Sequence, residues 1–232
     1  MLKALWRTLR VTFLLALIAL ALVQFWFVAH LGYWAGHNPE STAFMDARLE
    51  RLREKNPRAT LQHHWVPYGR ISLNLKRAII AAEDAKFLDH EGFDGDSIAK
   101  AYEKNLKKGK IVSGGSTITQ QLAKNLFLSG ERTWWRKAQE AVITVMLETI
   151  MSKRRILEIY LNFIEWGGGV FGAEAAAQYH FGIAAATLSP EQAAQLAAIV
   201  PSPRRYGAGS ETPYLQKRKE IILSRMNAAA VP

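Results

Sequence analysis

Apolar positions recur at three- and four-residue spacing along nearly the whole chain, which is the period of a helix. The first stretch is different. Val11 to Ala29 is apolar throughout except for Thr12 and Gln24, and a helix of about 20 such residues spans a bilayer. Beyond it the helices are amphipathic. Thr42 to Asn56 predicts a short, highly charged one stopped by Pro57. Ile71 to Leu88 carries a stripe of Leu75, Ile79 and Ala82. Asp94 to Lys110 carries Ile98, Ala101, Tyr102 and Leu106, with Asp96 or Ser97 as cap and Gly109 as terminator. Trp134 to Lys153 predicts one long helix burying Val142, Val145, Met146 and Ile150. Ile156 to Trp166 follows, ended by three glycines from Gly167. An alanine-rich segment from Gly172 to Tyr179 suits close packing. Ser189, Pro190 and Gln192 open a further helix, and Thr212 with Pro213 opens the last, which runs to Met226. No strand alternation and no repeat stands out. The expectation is one all-α domain behind one N-terminal transmembrane helix.

The chain is organised around Gly114 to Asn125, GGSTITQQLAKN. Two glycines end a loop, Ser116 and Thr117 offer hydroxyl caps, and Thr117 with Gln120 has capping-box spacing. The helix then has two faces. Ile118, Leu122 and Leu126 form an apolar ridge, while Thr117, Gln121 and Lys124 form a polar one. Such a face is either plain solvated surface or a binding face. A glycine hinge, a helix N-terminus and a nearby lysine suit an anionic, sugar-bearing ligand.

A second polar cluster closes the Ile71 helix. In AAEDAKFLDHEGF, from Ala81 to Phe93, Glu83, Phe87 and His90 share a face if the helix continues that far. A carboxylate against apolar walls has its pKa raised, which suits a general base; solvated acids at a helix end are the alternative. Arg136 and Glu140 have the spacing of a simple surface ion pair. His63 and His64 have no partner pair at metal spacing and read as ordinary histidines. Asp94 and Asp96 lack the glycine and closing glutamate of a calcium loop.

Charge narrows the partners. The net charge is +10 in 232 residues, which favours an anionic partner, nucleic acid or a phospholipid surface. Lys3, Arg7 and Arg10 precede the apolar run with no acid among the first ten residues. The positive-inside rule then places the N-terminus in the cytoplasm and the rest outside it. That removes the basic domain from nucleic acid. A cleaved signal peptide is the competing reading, but the run is long and no A-x-A site follows. The basic run from Lys104 to Lys110 is either a solvated face or a contact for lipid headgroups. There is no cysteine, hence no disulfide and no thiol chemistry. The expected layout is a tail at 1–10, an anchor at 11–31, a membrane-proximal connection at 32–70 and a catalytic domain at 71–232.

Four segments in order carry a resemblance: EDAKFLDHEGFD from Glu83, GGSTITQQLAKN from Gly114, RKAQEAVITVMLE from Arg136, and KRRILEIYLNFIEWGGGVFGAEAAAQYHFG from Lys153. Together they resemble the signature motifs of the peptidoglycan glycosyltransferases of family 51, over roughly Leu73 to Tyr206. The length, with no room for a transpeptidase domain, points to the monofunctional members. The resemblance implies a lysozyme-like, two-lobed helical fold with the cleft between its lobes. It implies polymerisation of lipid II into β-1,4-linked glycan, with inversion and release of undecaprenyl diphosphate.

By that resemblance Glu83 is the catalytic base. Glu140 is a second essential glutamate near the diphosphate, acting directly or through a divalent cation, Mg2+ or Mn2+. Lys124 and Arg136 match positions beside the diphosphate. Asp84, Phe87, His90, Ser116, Thr117, Gln121 and Asn125 match positions lining the cleft, and Lys153 opens the fourth motif. The implied partners are lipid II, the growing lipid-linked glycan, membrane phospholipid, and division or elongation synthases. The implied location is the inner membrane, with the catalytic domain periplasmic. One departure stands out: Tyr206 is followed by Gly207 and Ala208 where the family has Asn-Pro, which bears on contacts from Arg204 or Arg205. A lysozyme-like lytic enzyme and an anchored cell-wall scaffold are the rival readings.

Overall fold

The computed structural model describes residues 1–110, 114–128, 130 and 133–232. The loop expected from Ile111 to Gly115 and the turn expected from Phe127 to Thr133 lie partly outside the described residues. The chain divides into two compact units, Met1–Asn38 and Pro39–Pro232. The first is a single helix, α1 (Leu2–Gly36), long and apolar enough to cross a membrane.

The second unit holds α2 (Ala43–Arg53), α3 (Leu73–Glu83), α4 (Gly95–Lys108), α5 (Ile118–Phe127), α6 (Trp134–Ile150), α7 (Lys153–Phe163), α8 (Ala173–Phe181), α9 (Pro190–Ile199) and α10 (Pro213–Met226). The all-α expectation holds, with one small addition. Strands β1 (Gln62–His63), β2 (Glu165–Gly167) and β3 (Val170–Phe171) form a sheet in the order β1-β3-β2, parallel across β1 and β3 and antiparallel across β3 and β2. Strands of two or three residues are too short to show alternation. The helix expected to run to Trp166 therefore ends at Phe163, and β2 follows.

Caps set most boundaries. Thr117 caps α5 and Ser189 caps α9, each with its expected capping box. The cap of α4 is Asp94, not Asp96 or Ser97: its carboxylate accepts from the Ser97 amide at 3.0 Å and the Ser97 hydroxyl at 2.6 Å. Asp96 instead pairs with exposed Lys86 at 2.6 Å. The long helix from Trp134 stops at Ile150, because Met151 is extended and Ser152 caps α7 through the Arg155 amide. Lys153 therefore begins a helix rather than ending one.

Helix α3 packs on α9 and α10, while α5 packs on α2, α6 and α7. The core between them includes Leu75, Ile79, Ile118, Leu122, Ile143, Ile159 and Phe163, each fully buried. Each contributes about 1.5–3 kcal/mol by leaving water. The side of α6 turned inward is Ile143, Thr144 and Leu147. Val142 and Val145 of the expected stripe are 43% and 54% exposed. On α4 only Ala101 is buried; Ile98, Tyr102 and Leu106 form the predicted stripe but face outward. Periodicity identifies a stripe, and the neighbours decide whether anything covers it.

The Gly-Gly pair before α5 also differs from a simple hinge. A Cβ on Gly115 would lie 2.9 Å from the Ile98 Cα, so this residue is small because α4 passes against it.

Candidate active site

Glu83 is the last residue of α3, and Asp84 leaves the helix at φ −161 and ψ 73. That break turns the two neighbouring carboxylates to different partners. It also removes Phe87 and His90 from the helical face expected for them. Phe87 is a fully buried core residue, and its ring lies 4.7 Å from the Lys153 ammonium.

The Glu83 carboxylate is gripped from two distant elements. Gln121 of α5 donates from Nε2 to Oε2 at 3.0 Å, and Arg218 of α10 donates from Nη2 to Oε1 at 3.0 Å. Gln121 is itself oriented, because the Tyr160 hydroxyl of α7 donates to its Oε1 at 2.9 Å. This bond leaves the amide NH2 of Gln121 to face Glu83. The Glu83 side chain is only 11% exposed. Burial raises its pKa above the usual carboxylate range, opposed by the Gln121 hydrogen bond and the Arg218 charge. Tyr160 is fully buried, and burial followed by the nearby Glu83 charge pushes its pKa well above the phenol range, so it keeps its proton.

Asp84 performs a different task. Its Oδ1 accepts from His90 Nε2 at 2.9 Å, and its Oδ2 accepts from the Ile118 amide at the start of α5 at 3.0 Å. The Gly92 amide donates to His90 Nδ1 at 3.1 Å, which places the ring proton on Nε2. Thr117 donates to the Gly92 carbonyl at 2.7 Å and Lys153 to the His90 carbonyl at 2.6 Å. Lys153 also meets Glu148 at 2.8 Å, and Thr119 donates to the same carboxylate oxygen at 2.6 Å. Gly92 has φ +85, and a Cβ there would lie 2.6 Å from the Thr144 Cγ2, so both conformation and space require glycine. This network holds the α3–α4 connection against α5 and so fixes the position of Glu83.

Next to Gln121 a pocket of about 380 Å³ opens, lined by Gln121, Lys124 and Asn125 of α5, by Arg48 and Arg51 of α2, and by Glu165 and Arg204. Ser116 is exposed just before the α5 N-terminus. On α6, Arg136 donates from Nη1 to Glu140 Oε2 at 2.6 Å, and Lys137 bonds the other oxygen. Glu140 is buried, so this is no surface pair. With both oxygens held by cations, and no group of three His, Cys, Asp or Glu side chains able to hold a metal among the described residues, Glu140 does not fit a divalent-cation ligand. The guanidinium Nε of Arg136 is buried without a hydrogen-bond partner among the described residues.

Residues 50–227 match the family model described as Transglycosylase. The chain belongs to the Transglycosylase family. Among relatives of this family, the biosynthetic peptidoglycan transglycosylase of Nitrosospira multiformis is 63% identical over 95% of this chain and 96% of its own length. That of Methylobacillus flagellatus is 61% identical over 94% and 96%. That of Azoarcus sp. (strain BH72) is 56% identical over 99% of both.

In this transglycosylase the motif residues fall into groups: Glu83 bonds Gln121, Asp84 and Lys153 both bond His90, Thr117 bonds the neighbouring Gly92 carbonyl, and Lys124 and Asn125 line the pocket with Gln121. Motif reading named all of these. It missed Arg218, Tyr160, Lys137, Arg48 and Glu165. Arg218 stands in a basic run of the last helix, 135 residues from Glu83, and nothing local distinguishes it from a solvated cation. Tyr160 reads as part of an apolar stripe, and its hydroxyl has meaning only once Gln121 is beside it.

Proposed function

We propose that this chain is a membrane-anchored peptidoglycan glycosyltransferase that polymerises lipid II into β-1,4-linked glycan and releases undecaprenyl diphosphate with inversion. The observation that carries the reading is Glu83, a nearly buried carboxylate clamped between Gln121 and Arg218 beside a pocket rich in cations.

In the proposed step the acceptor sugar hydroxyl attacks the anomeric carbon of the donor. The new C–O bond forms as the bond to the diphosphate oxygen breaks. The hydroxyl proton passes to Glu83, whose raised pKa brings it closer to neutrality, where a base is most effective. Negative charge builds on the departing diphosphate, and Lys124 and Arg136 meet it. Glu140 holds Arg136 and Lys137 in place from within the same helix. One-step inversion needs no nucleophile on the protein; the acceptor sugar stands where an inverting glycosidase holds its water.

The helix Leu2–Gly36 supplies a single-pass anchor in the inner membrane, with the enzyme on the periplasmic side. The outward stripe of Ile98, Tyr102 and Leu106, flanked by Lys104, Lys107 and Lys108, suits contact with anionic phospholipid. Cell-wall growth, cell shape and work beside division or elongation synthases follow from that placement.

The test is incubation of the detergent-solubilised protein with labelled lipid II, followed by gels run with and without muramidase. A muramidase-sensitive ladder, absent for Glu83→Gln, is the expected result. Shortening of preformed glycan would identify a lytic enzyme instead. Folded protein that makes no polymer across detergents would favour a scaffold.

A further inference from the structure

One carboxylate in the pocket has no part in the chemistry above. Glu165 lies on β2 and is 5% exposed. Its Oε1 accepts from Arg48 Nε at 3.0 Å and, at 3.4 Å, from the Gly169 amide. Its Oε2 is buried with no partner among the described residues, and Arg204 Nε stands 4.0 Å away. A buried carboxylate oxygen without a donor is costly, and proteins rarely leave one so unless something else supplies the hydrogen bond.

The surroundings say what could. The pocket, at about 380 Å³, has the size of a small-ligand site. Arg48, Arg51, Lys124 and Arg204 line the pocket with one carboxylate, so the lining is cationic overall. Those cations suit an anionic group, but Glu165 itself repels one. Burial raises the pKa of Glu165, opposed by the Arg48 charge, and an unpaired carboxylate oxygen beside arginines accepts hydrogen bonds from neutral donors, of which a sugar hydroxyl or an acetamido N–H is the common kind. Gln121 links this wall to Glu83, since it lines the pocket and its amide donates to the base. Arg48, which fixes the carboxylate, precedes residue 50, where the family match begins.

We propose that Glu165, anchored by Arg48 and faced by Arg204, is the hydrogen-bond-accepting wall of a sugar subsite in the pocket beside Gln121. It binds a hydroxyl or acetamido group of an N-acetylhexosamine unit whose attached anionic group meets Lys124, Arg51 or Arg204. The assignment of the sugar to the polymerised glycan rests on the function proposed above.

Two measurements on the full chain in detergent test it. The first is KM and kcat with labelled lipid II for wild type, Glu165→Gln and Arg204→Ala. Loss of one good hydrogen bond predicts that KM rises about tenfold in Glu165→Gln while kcat falls less than about threefold. Arg204 is 57% exposed, so Arg204→Ala keeps the fold and is expected to raise KM less. The second is binding of the N-acetylglucosaminyl-N-acetylmuramyl disaccharide by saturation-transfer NMR, expected for wild type and weakened in both variants. A polymerising wild type with unchanged KM and unchanged disaccharide binding in the variants overturns the subsite; the orphan oxygen then holds only water. A wild type that binds the disaccharide through Glu165 yet makes no polymer keeps the subsite and overturns the polymerase reading instead. If Glu165→Gln fails to fold, Arg204→Ala decides alone, and an unchanged KM and signal there overturn the proposal.

Discussion

Glu83 and Glu140 are both nearly buried carboxylates held by cations, yet they are assembled in opposite ways. The partners of Glu140 are three and four residues back on its own helix. Those of Glu83 come from α5 and α10, 38 and 135 residues away. The Glu140 cluster needs only α6 to form. The Glu83 cluster exists only when three helices are docked. The first is suited to hold a patch of positive charge in place, because its geometry is built into one rigid element. The second is suited to set the protonation and aim of one carboxylate, because burial by the fold and distant donors together determine its pKa.

Substitutions can break this contrast. Glu83→Gln is expected to reduce lipid II polymerisation by about 10²–10⁴-fold, the usual scale of general-base loss. Its melting temperature should stay at least as high as wild type near neutral pH, since burial disfavours the ionised form that the substitution removes. Retained turnover would refute the base assignment. Lys124→Ala should lower kcat/KM by about 10²-fold, the scale for losing one charge-stabilising donor; unchanged kinetics would remove it from the diphosphate.

Glu140→Gln and Arg218→Ala then separate the two clusters through the pH profile. Glu140→Gln is expected to lower kcat by about tenfold or more with the acid limb of activity in place. Arg218→Ala removes a charge that lowers the Glu83 pKa. The base must be ionised to act, so activity falls as pH drops through its pKa, and that limb should move to higher pH. Arg218→Lys should return it part of the way. An acid limb that stays put would show that Arg218 only packs. The smallest effect is expected for Tyr160→Phe, which frees Gln121 to rotate without touching Glu83. A fall in kcat of less than about tenfold, measured with the same substrate, would fit loss of one orienting hydrogen bond.

The sequence by itself determined where most of the helices lie, the capping boxes of α5 and α9, and the motif residues. Those depend on short-range physics: Thr117 and Ser189 cap helices through residues three positions on, and the Ile118–Leu122 ridge repeats at helical spacing. The apolar span from Val11 needed nothing but its own composition, and the Arg136–Glu140 pair needed only one helix. Tertiary structure decided everything that turns on which elements meet. It buried Glu140 and most of Glu83, left Tyr102 and Leu106 facing outward from a stripe that reads like core, and ended α3 at Glu83 so that Asp84 could reach His90 and Ile118. It also brought Arg218 to the base and Arg48 to Glu165 across 135 and 117 residues. No local pattern encodes such pairings, because a cation in a basic run looks the same whether its helix faces water or a buried carboxylate.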